Sequence, residues 1–345
     1  MLARMVAFAA AATALHAIGA AALAADDASV SEFFRGRTIR LVMPSSPGGG
    51  LDADARMFAK HMPRYLPGNP TVVVESHPGG GGTVGAAYVY NVAPRDGSAL
   101  GILLPASILE PLLRTSKFDA KAFGWLGSFG DSPAVVSVWS TSPIKSIDDA
   151  KRQQVILGAT GVGSNMYMIP ALSNYLFGTK FKIVTGYKGG AAINQAIESG
   201  EVQGRAAAWN AFAVTKKNWL RDHKLVHLMQ IGNKIPGLDN IPSMEDLAQT
   251  KARKQMVAVL ALASNIGNAY FYPPKTPRSR IAAMRTALTE VVTDKAFLAD
   301  IKRYELDLNP IKGERIQQMV GEVFDTPKPV IDELKAVLSG HGVHN

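Results

Sequence analysis

The chain has 345 residues, no cysteine and a formal net charge of +9. That length exceeds what a single hydrophobic core usually serves, so two lobes are expected. Its lysines and arginines are scattered rather than massed, which argues against a nucleic-acid face and suits mild attraction of anions.

In chain order, Arg4 precedes an alanine- and leucine-rich run, Met5 to Leu23, which ends in Ala22-Leu23-Ala24 before Asp26-Asp27. A basic start, a short apolar region and a small-x-small site predict a secretory signal peptide over residues 1–24, removed after Ala24. No later apolar run approaches the ~20 residues of a membrane span. The lack of cysteine fits an exported protein that does without disulfides.

Two units of one kind follow. A predicted strand over Thr38 to Met43 runs into Pro47-Gly48-Gly49-Gly50 and a helix from Leu51. A second, over Thr71 to Glu75, runs into Pro78-Gly79-Gly80-Gly81-Gly82 and a helix from Thr83. Glycines turn tightly and leave backbone N–H groups uncovered. A helix start behind them adds unpaired donors and the positive end of the helix dipole. Strand, glycine loop and helix together make an anion site.

Pro94-Arg95-Asp96-Gly97 marks a turn before a strand over Ala99 to Leu104, and Ala134 to Trp139 reads as another strand. Ser146, with Asp149 three residues on, starts a short capped helix to Arg152. The strand–loop–helix pattern then returns. Val155 to Gly158 leads through Gly161, Gly163, Ser164 and Asn165 into a helix, and Lys182 to Thr185 leads through Tyr187, Lys188, Gly189 and Gly190 into another. Strands over Val202 to Ala207 and Leu225 to Ile231 follow. From Pro277 the pattern is helical, with Ile281, Met284, Leu288 and Val291 in helical spacing. Alternating strands and helices predict an α/β protein. Residues 26–139 with 265–345 are expected to form one lobe and 140–264 the other.

Catalytic and metal motifs fail. Gly80-x-Gly82-x-x-Gly85 matches a dinucleotide fingerprint in form, but the partner acid is missing where the next strand closes at Leu103-Leu104-Pro105. No phosphate loop or serine-nucleophile elbow is present. His223 and His227 lack the glutamate of a zinc protease, since Lys224 stands there, and read as surface histidines. His77 borders the second loop and reads either as a ligand contact or, preferably, as a support for that loop, and His341 and His344 fall in the tail. No catalytic residue, metal or cofactor is expected.

Pro47 to Arg56 resembles the Pro-Gly-Gly-x-x-Asp-x-x-Ala-Arg element of the Bug-type periplasmic solute receptors of tripartite tricarboxylate transporters. Val74 to Ala86 resembles that family's Val-Glu-Asn-Arg-Pro-Gly-Ala-Gly-Gly-Asn-x-Gly-Ala. Ala93 to Gly97, Gly161 to Ser164, Tyr187 to Gly189 and Pro274 to Pro277 fit its later motifs in order. The resemblance implies a periplasmic Venus-flytrap receptor of two α/β lobes joined by two crossing segments, and a monomer. It also implies capture of a small carboxylate by backbone N–H groups and delivery to membrane permease subunits. An exported sensor partner of a membrane kinase uses the same fold and stays open; an exported enzyme is the remaining alternative.

Departures from the family pattern are Ser45, Tyr167, Gly186 and Gln203. They leave room for a ligand other than a simple dicarboxylate, and Tyr167, Tyr187 and Trp209 either pack an aromatic or longer carboxylate or belong to the lobe core. Gly48, Gly49, Gly50, Gly80, Gly81 and Gly82 are the expected ligand-contacting glycines. Thr83, Ser164 and Asn165 offer either ligand hydrogen bonds or caps. Gly161, Tyr187 and Asn210 complete the second-lobe set. Asp52 and Asp96 are expected to support loops. Arg205 departs from the apolar residue usual near this point in the family; it either grips a second carboxylate in a forked contact or forms a surface salt bridge.

Overall fold

The computed structural model describes residues 29–48, 50–213, 215–304 and 308–339. The expected signal peptide, Gly49, His341 and His344 lie outside them. Eleven named strands form two sheets. They are β1 (Thr38–Met43), β2 (Thr71–Ser76), β3 (Ala99–Ile102), β4 (Gly124–Ser128), β5 (Ala134–Trp139), β6 (Val155–Gly158), β7 (Phe181–Val184), β8 (Gly204–Ala208), β9 (Leu225–Ile231), β10 (Tyr270–Tyr272) and β11 (Ile311–Lys312). The helices are α1 (Gly50–His61), α2 (Thr83–Asn91), α3 (Glu110–Leu113), α4 (Ile147–Arg152), α5 (Asn165–Phe177), α6 (Gly190–Glu198), α7 (Trp209–Ala213), α8 (Lys217–Arg221), α9 (Met244–Leu247), α10 (Lys251–Ile266), α11 (Arg278–Val291), α12 (Lys295–Tyr304), α13 (Gly313–Phe324) and α14 (Lys328–Leu338).

The first sheet runs β11-β4-β10-β3-β1-β2 and the second β7-β6-β8-β5-β9. Each contains three adjacent parallel strands, then one antiparallel strand, then a strand antiparallel to that one. In both sheets the antiparallel member arrives from a crossing segment. The chain crosses once after β4 to enter β5, and again after α10 to enter β10. The fold is therefore two-lobed α/β with two crossings. Residues 134–139, expected with the first lobe, belong to the second sheet. A strand's local pattern does not say which sheet it will pair with. The C-terminal helix bridges the expected division, because α14 packs on α5 of the second half, on α10 and on α3 of the first half.

Local sequence explains several element ends. Ser146 Oγ accepts the Asp149 N–H (3.2 Å) while Asp149 Oδ2 accepts the Ser146 N–H (3.0 Å), a capping box that starts α4. Such a cap is worth about 1 kcal/mol. Thr250 caps α10, a 16-residue helix whose buried face carries Met256, Val257, Leu260 and Ala263. One face of the first sheet packs Phe34, Phe58, Tyr270, Met284 and Phe297 together. Its other face joins a core that continues through α10, α13 and α14 to one face of the second sheet. The second sheet's remaining face is covered by α6, α7 and α8 through Ile193, Ile197, Phe212 and Trp219.

Candidate ligand-binding cleft

β1 and β2 run parallel in register from Thr38 beside Thr71 to Met43 beside Ser76, so both glycine loops leave the same sheet edge as neighbours. The His77 N–H donates to Met43 O (2.8 Å) and Ser76 Oγ donates to Ser45 O (2.6 Å), which ties the loops together. His77 also lies against Tyr88, with ring centroids 4.3 Å apart. The four glycines of the second loop all have positive φ, from 57° to 134°. That run of left-handed conformations is open to glycine at no steric cost.

The turn engages some of its own donors. The Gly82 N–H donates to Gly79 O (3.0 Å), and Gly82 is buried where a Cβ would lie 3.0 Å from Leu104 Cδ1. Thr83 neither caps α2 nor points away, since its hydroxyl donates to Gly80 O (3.0 Å). Gly82 and Thr83, both expected to meet ligand, are thus occupied by the turn. Gly80 and Gly81 remain exposed, and their N–H groups make no backbone hydrogen bond among the described residues. No atom lies within 4 Å of where a Gly81 Cβ would stand.

In the first loop the Gly48 N–H donates to Asp52 Oδ2 (3.0 Å), which also accepts from Arg56 Nε (2.9 Å). Gly48 is therefore not a free donor. Burial pushes the Asp52 carboxyl up, but the hydrogen bonds from Arg56 and Gly48 outweigh it and hold it below the usual carboxylate range. Gly50 is exposed at the first turn of α1. Asp96 accepts from the Ser98 N–H (2.9 Å) and hydroxyl (2.6 Å). That turn lies at the opposite edge of the sheet, where β3 begins, and not at the glycine loops.

Arg114 of the first half, which no sequence motif marks, contacts the second half. Its Nη1 donates to Glu110 (3.0 Å), and its Nη2 reaches across to the carbonyl of Val162 (3.1 Å) in the loop between β6 and α5. In that loop Ser164 Oγ donates to Gly161 O (2.7 Å) and so closes a turn instead of capping α5. Asn165 Oδ1 is buried without a partner among the described residues. Gly161 is half-exposed with open space over it. The Tyr187 hydroxyl donates to Glu201 (2.6 Å), and burial together with that carboxylate pushes the phenol up to about 12. Its ring lies 3.3 Å from a Cβ position at Gly158. Asn210, Tyr167 and Trp209 are half-buried, and the two aromatics pack partly on the core.

Arg205 is not a surface residue. It is 2% exposed in β8, and its guanidinium lies over the Phe212 ring with Cζ 4.9 Å from the centroid. Among the described residues no carboxylate pairs with it, and its buried Nε has no hydrogen-bond partner. Burial draws its pKa down to about 10, so it stays charged at neutral pH. Next to it across β5, Ser137 Oγ hydrogen-bonds His227 Nδ1 (2.8 Å). His227 is half-buried rather than a surface histidine, and burial lowers it to about 4, leaving it neutral at pH 7.

Residues 55–336 match the family described as the tripartite tricarboxylate transporter family receptor. The chain belongs to this family. Solved structures with the same fold include a TctC solute-binding protein from Polaromonas, at 20% identity and a TM-score of 0.66, covering 88% of this chain and 98% of that one. Rpa4515 of R. palustris, solved with adipate, matches at 19% identity and a TM-score of 0.65, covering 88% and 97%. MatC from Rhodopseudomonas palustris, with bound malate, matches at 19% and 0.61, covering 88% and 99%. The receptor is thus a solute-binding protein of the two-lobed periplasmic type, and no described helix is long and apolar enough to cross a membrane.

Proposed function

We propose that this receptor captures a small organic anion bearing a carboxylate between its lobes and hands it to a membrane permease. The observation that carries this reading is the pair of uncommitted N–H groups at Gly80 and Gly81. Both glycines are exposed in the turn that leads into α2, with open space over Gly81, and no side chain caps the helix that follows. Uncapped N–H groups at a helix start favour negative charge by about 0.3–1 kcal/mol when exposed, and by up to ~2 when partly buried. Adipate and malate in the related structures support a carboxylate as the ligand class. Family membership supports export and a permease partner.

Calorimetry of the purified protein against a series of mono- and dicarboxylates tests the reading, with Gly81→Val as the control. At φ +66° a β-branched residue is strained, and its side chain would fill the space in which an anion approaches. Affinity for any bound carboxylate is expected to fall at least tenfold in a variant that still folds. Unchanged affinity in the folded variant would make the loop purely structural and end the reading.

A further inference from the structure

The second sheet repeats the strand plan that builds the first anion site, and its counterpart of that site contains a cation. Leu157 of β6 pairs with Gly204 of β8, which sets Arg205 level with Gly158, the last residue of β6. Arg205 therefore stands at the strand ends from which the loops into α5 and α6 depart. Its guanidinium reaches the first residue of α6. A Cβ on Gly190 would collide with that group, lying 3.4 Å from its Cζ. α6 is nine residues long, its N-cap Gly189 has φ 146°, and no side chain caps it. Two positive features, a half-exposed helix N-terminus and a buried guanidinium, thus meet.

Nothing among the described residues neutralises them. Among the described residues Arg205 has no acidic partner and its Nε is unsatisfied, while His227, on the far side of β5, is hydrogen-bonded to Ser137. The Tyr187 hydroxyl, on the loop before α6, is directed at Glu201. Isolated buried charge is costly and is normally paired. A cation held against a helix N-terminus raises that cost, because both ends are positive. The missing component of this arrangement is an anion.

We propose that Arg205 and the N-terminus of α6 form a second anion subsite, which takes a two-oxygen acidic group at the far end of the ligand. This deepens the receptor function proposed above and rests on it: one acidic group meets Gly80 and Gly81, and the other meets the guanidinium fork. The fork donates two parallel hydrogen bonds to a carboxylate, a geometry lysine does not reproduce. Phe212 backs the guanidinium and holds its plane.

The test pairs each α,ω-dicarboxylate of four to eight carbons with the monocarboxylate of equal length, for example adipate with hexanoate. Both are titrated into wild-type protein, Arg205→Met, Arg205→Lys and Gly81→Val. The wild type is expected to prefer the matching dicarboxylate over its monocarboxylate at least tenfold. Arg205→Met should lose that preference while its monocarboxylate affinity changes less than threefold, and Arg205→Lys should recover only part. Gly81→Val should weaken both ligands. Equal affinity of wild type for the two partners of every pair overturns the proposal, even if no Arg205 variant folds. So does an Arg205→Met protein that keeps the preference, which would make Arg205 a hydrated structural cation. In both cases loss of binding in Gly81→Val leaves the receptor reading standing. A wild type that binds neither series overturns both.

Discussion

Asp52 shows how one carboxylate oxygen organises a loop: it accepts from the Gly48 N–H and from Arg56 while the residue itself is only 6% exposed. Replacing it by alanine leaves the Gly48 donor without its partner and frees Arg56. Asp52→Ala is expected to lose roughly 1–2 kcal/mol in urea unfolding. The wild-type contribution is present above the ordinary carboxylate pKa and is lost as pH falls below it, since the folded pKa is depressed. The variant should therefore show less acid sensitivity. Legibility at this scale was uneven. The glycines of the second loop could be read because positive φ selects for glycine, and all four adopt it. Which glycines of the two loops kept a free N–H could not be read, because Gly82 and Gly48 are engaged by contacts that only the folded turns create. Arg205 stood out by residue type, but a strand pattern does not say which face a neighbouring helix will cover. Its burial and lack of a partner emerged only from packing.

At the scale of elements, the two crossing segments are bound to each other and to the first lobe. The Ser132 N–H donates to Ser264 O (2.7 Å), and Gly267, at φ +59°, sits where any Cβ would collide with the carbonyl of Gly130. Asn268 Nδ2 donates to Asp54 Oδ2 (2.6 Å) and so fastens the second crossing to α1. Enclosure by its neighbours pushes the Asp54 carboxyl up to about 6 despite that bond, although the residue as a whole keeps some exposed surface. A folded pKa above the unfolded one adds stability that is fully present below the unfolded value and disappears as pH rises through about 6. Chemical unfolding between pH 4 and 7 should therefore show a component that declines with rising pH. Asp54→Asn should flatten it by about 1–2 kcal/mol, after allowing for the remaining exposure. An identical pH dependence in the variant would remove Asp54 from this role. The strand–loop–helix units of both halves were evident from alternation and glycine placement. The assignment of β5 to the second sheet was not, because pairing is long-range and β5 reads locally as any buried strand.

For the whole molecule, loops from both halves meet through Arg114 and Val162, and the chain passes between halves only twice within the sheets. That layout suits closure of the lobes about the crossing segments. Small-angle scattering should give a smaller radius of gyration at saturating adipate, or whichever carboxylate calorimetry finds bound, than without ligand. An unchanged profile would count against closure. The matched strand plans carry a further consequence. β8 holds in the second sheet the place that β3 holds in the first, and β3 bears no ionisable side chain, only Ala99, Leu100, Gly101 and Ile102. The two sheets are alike as scaffolds and unlike in charge at this strand. A solute with dissimilar ends would then enter with a heading, its more acidic terminus toward Arg205. The receptor would present every cargo molecule to its partner in the same orientation.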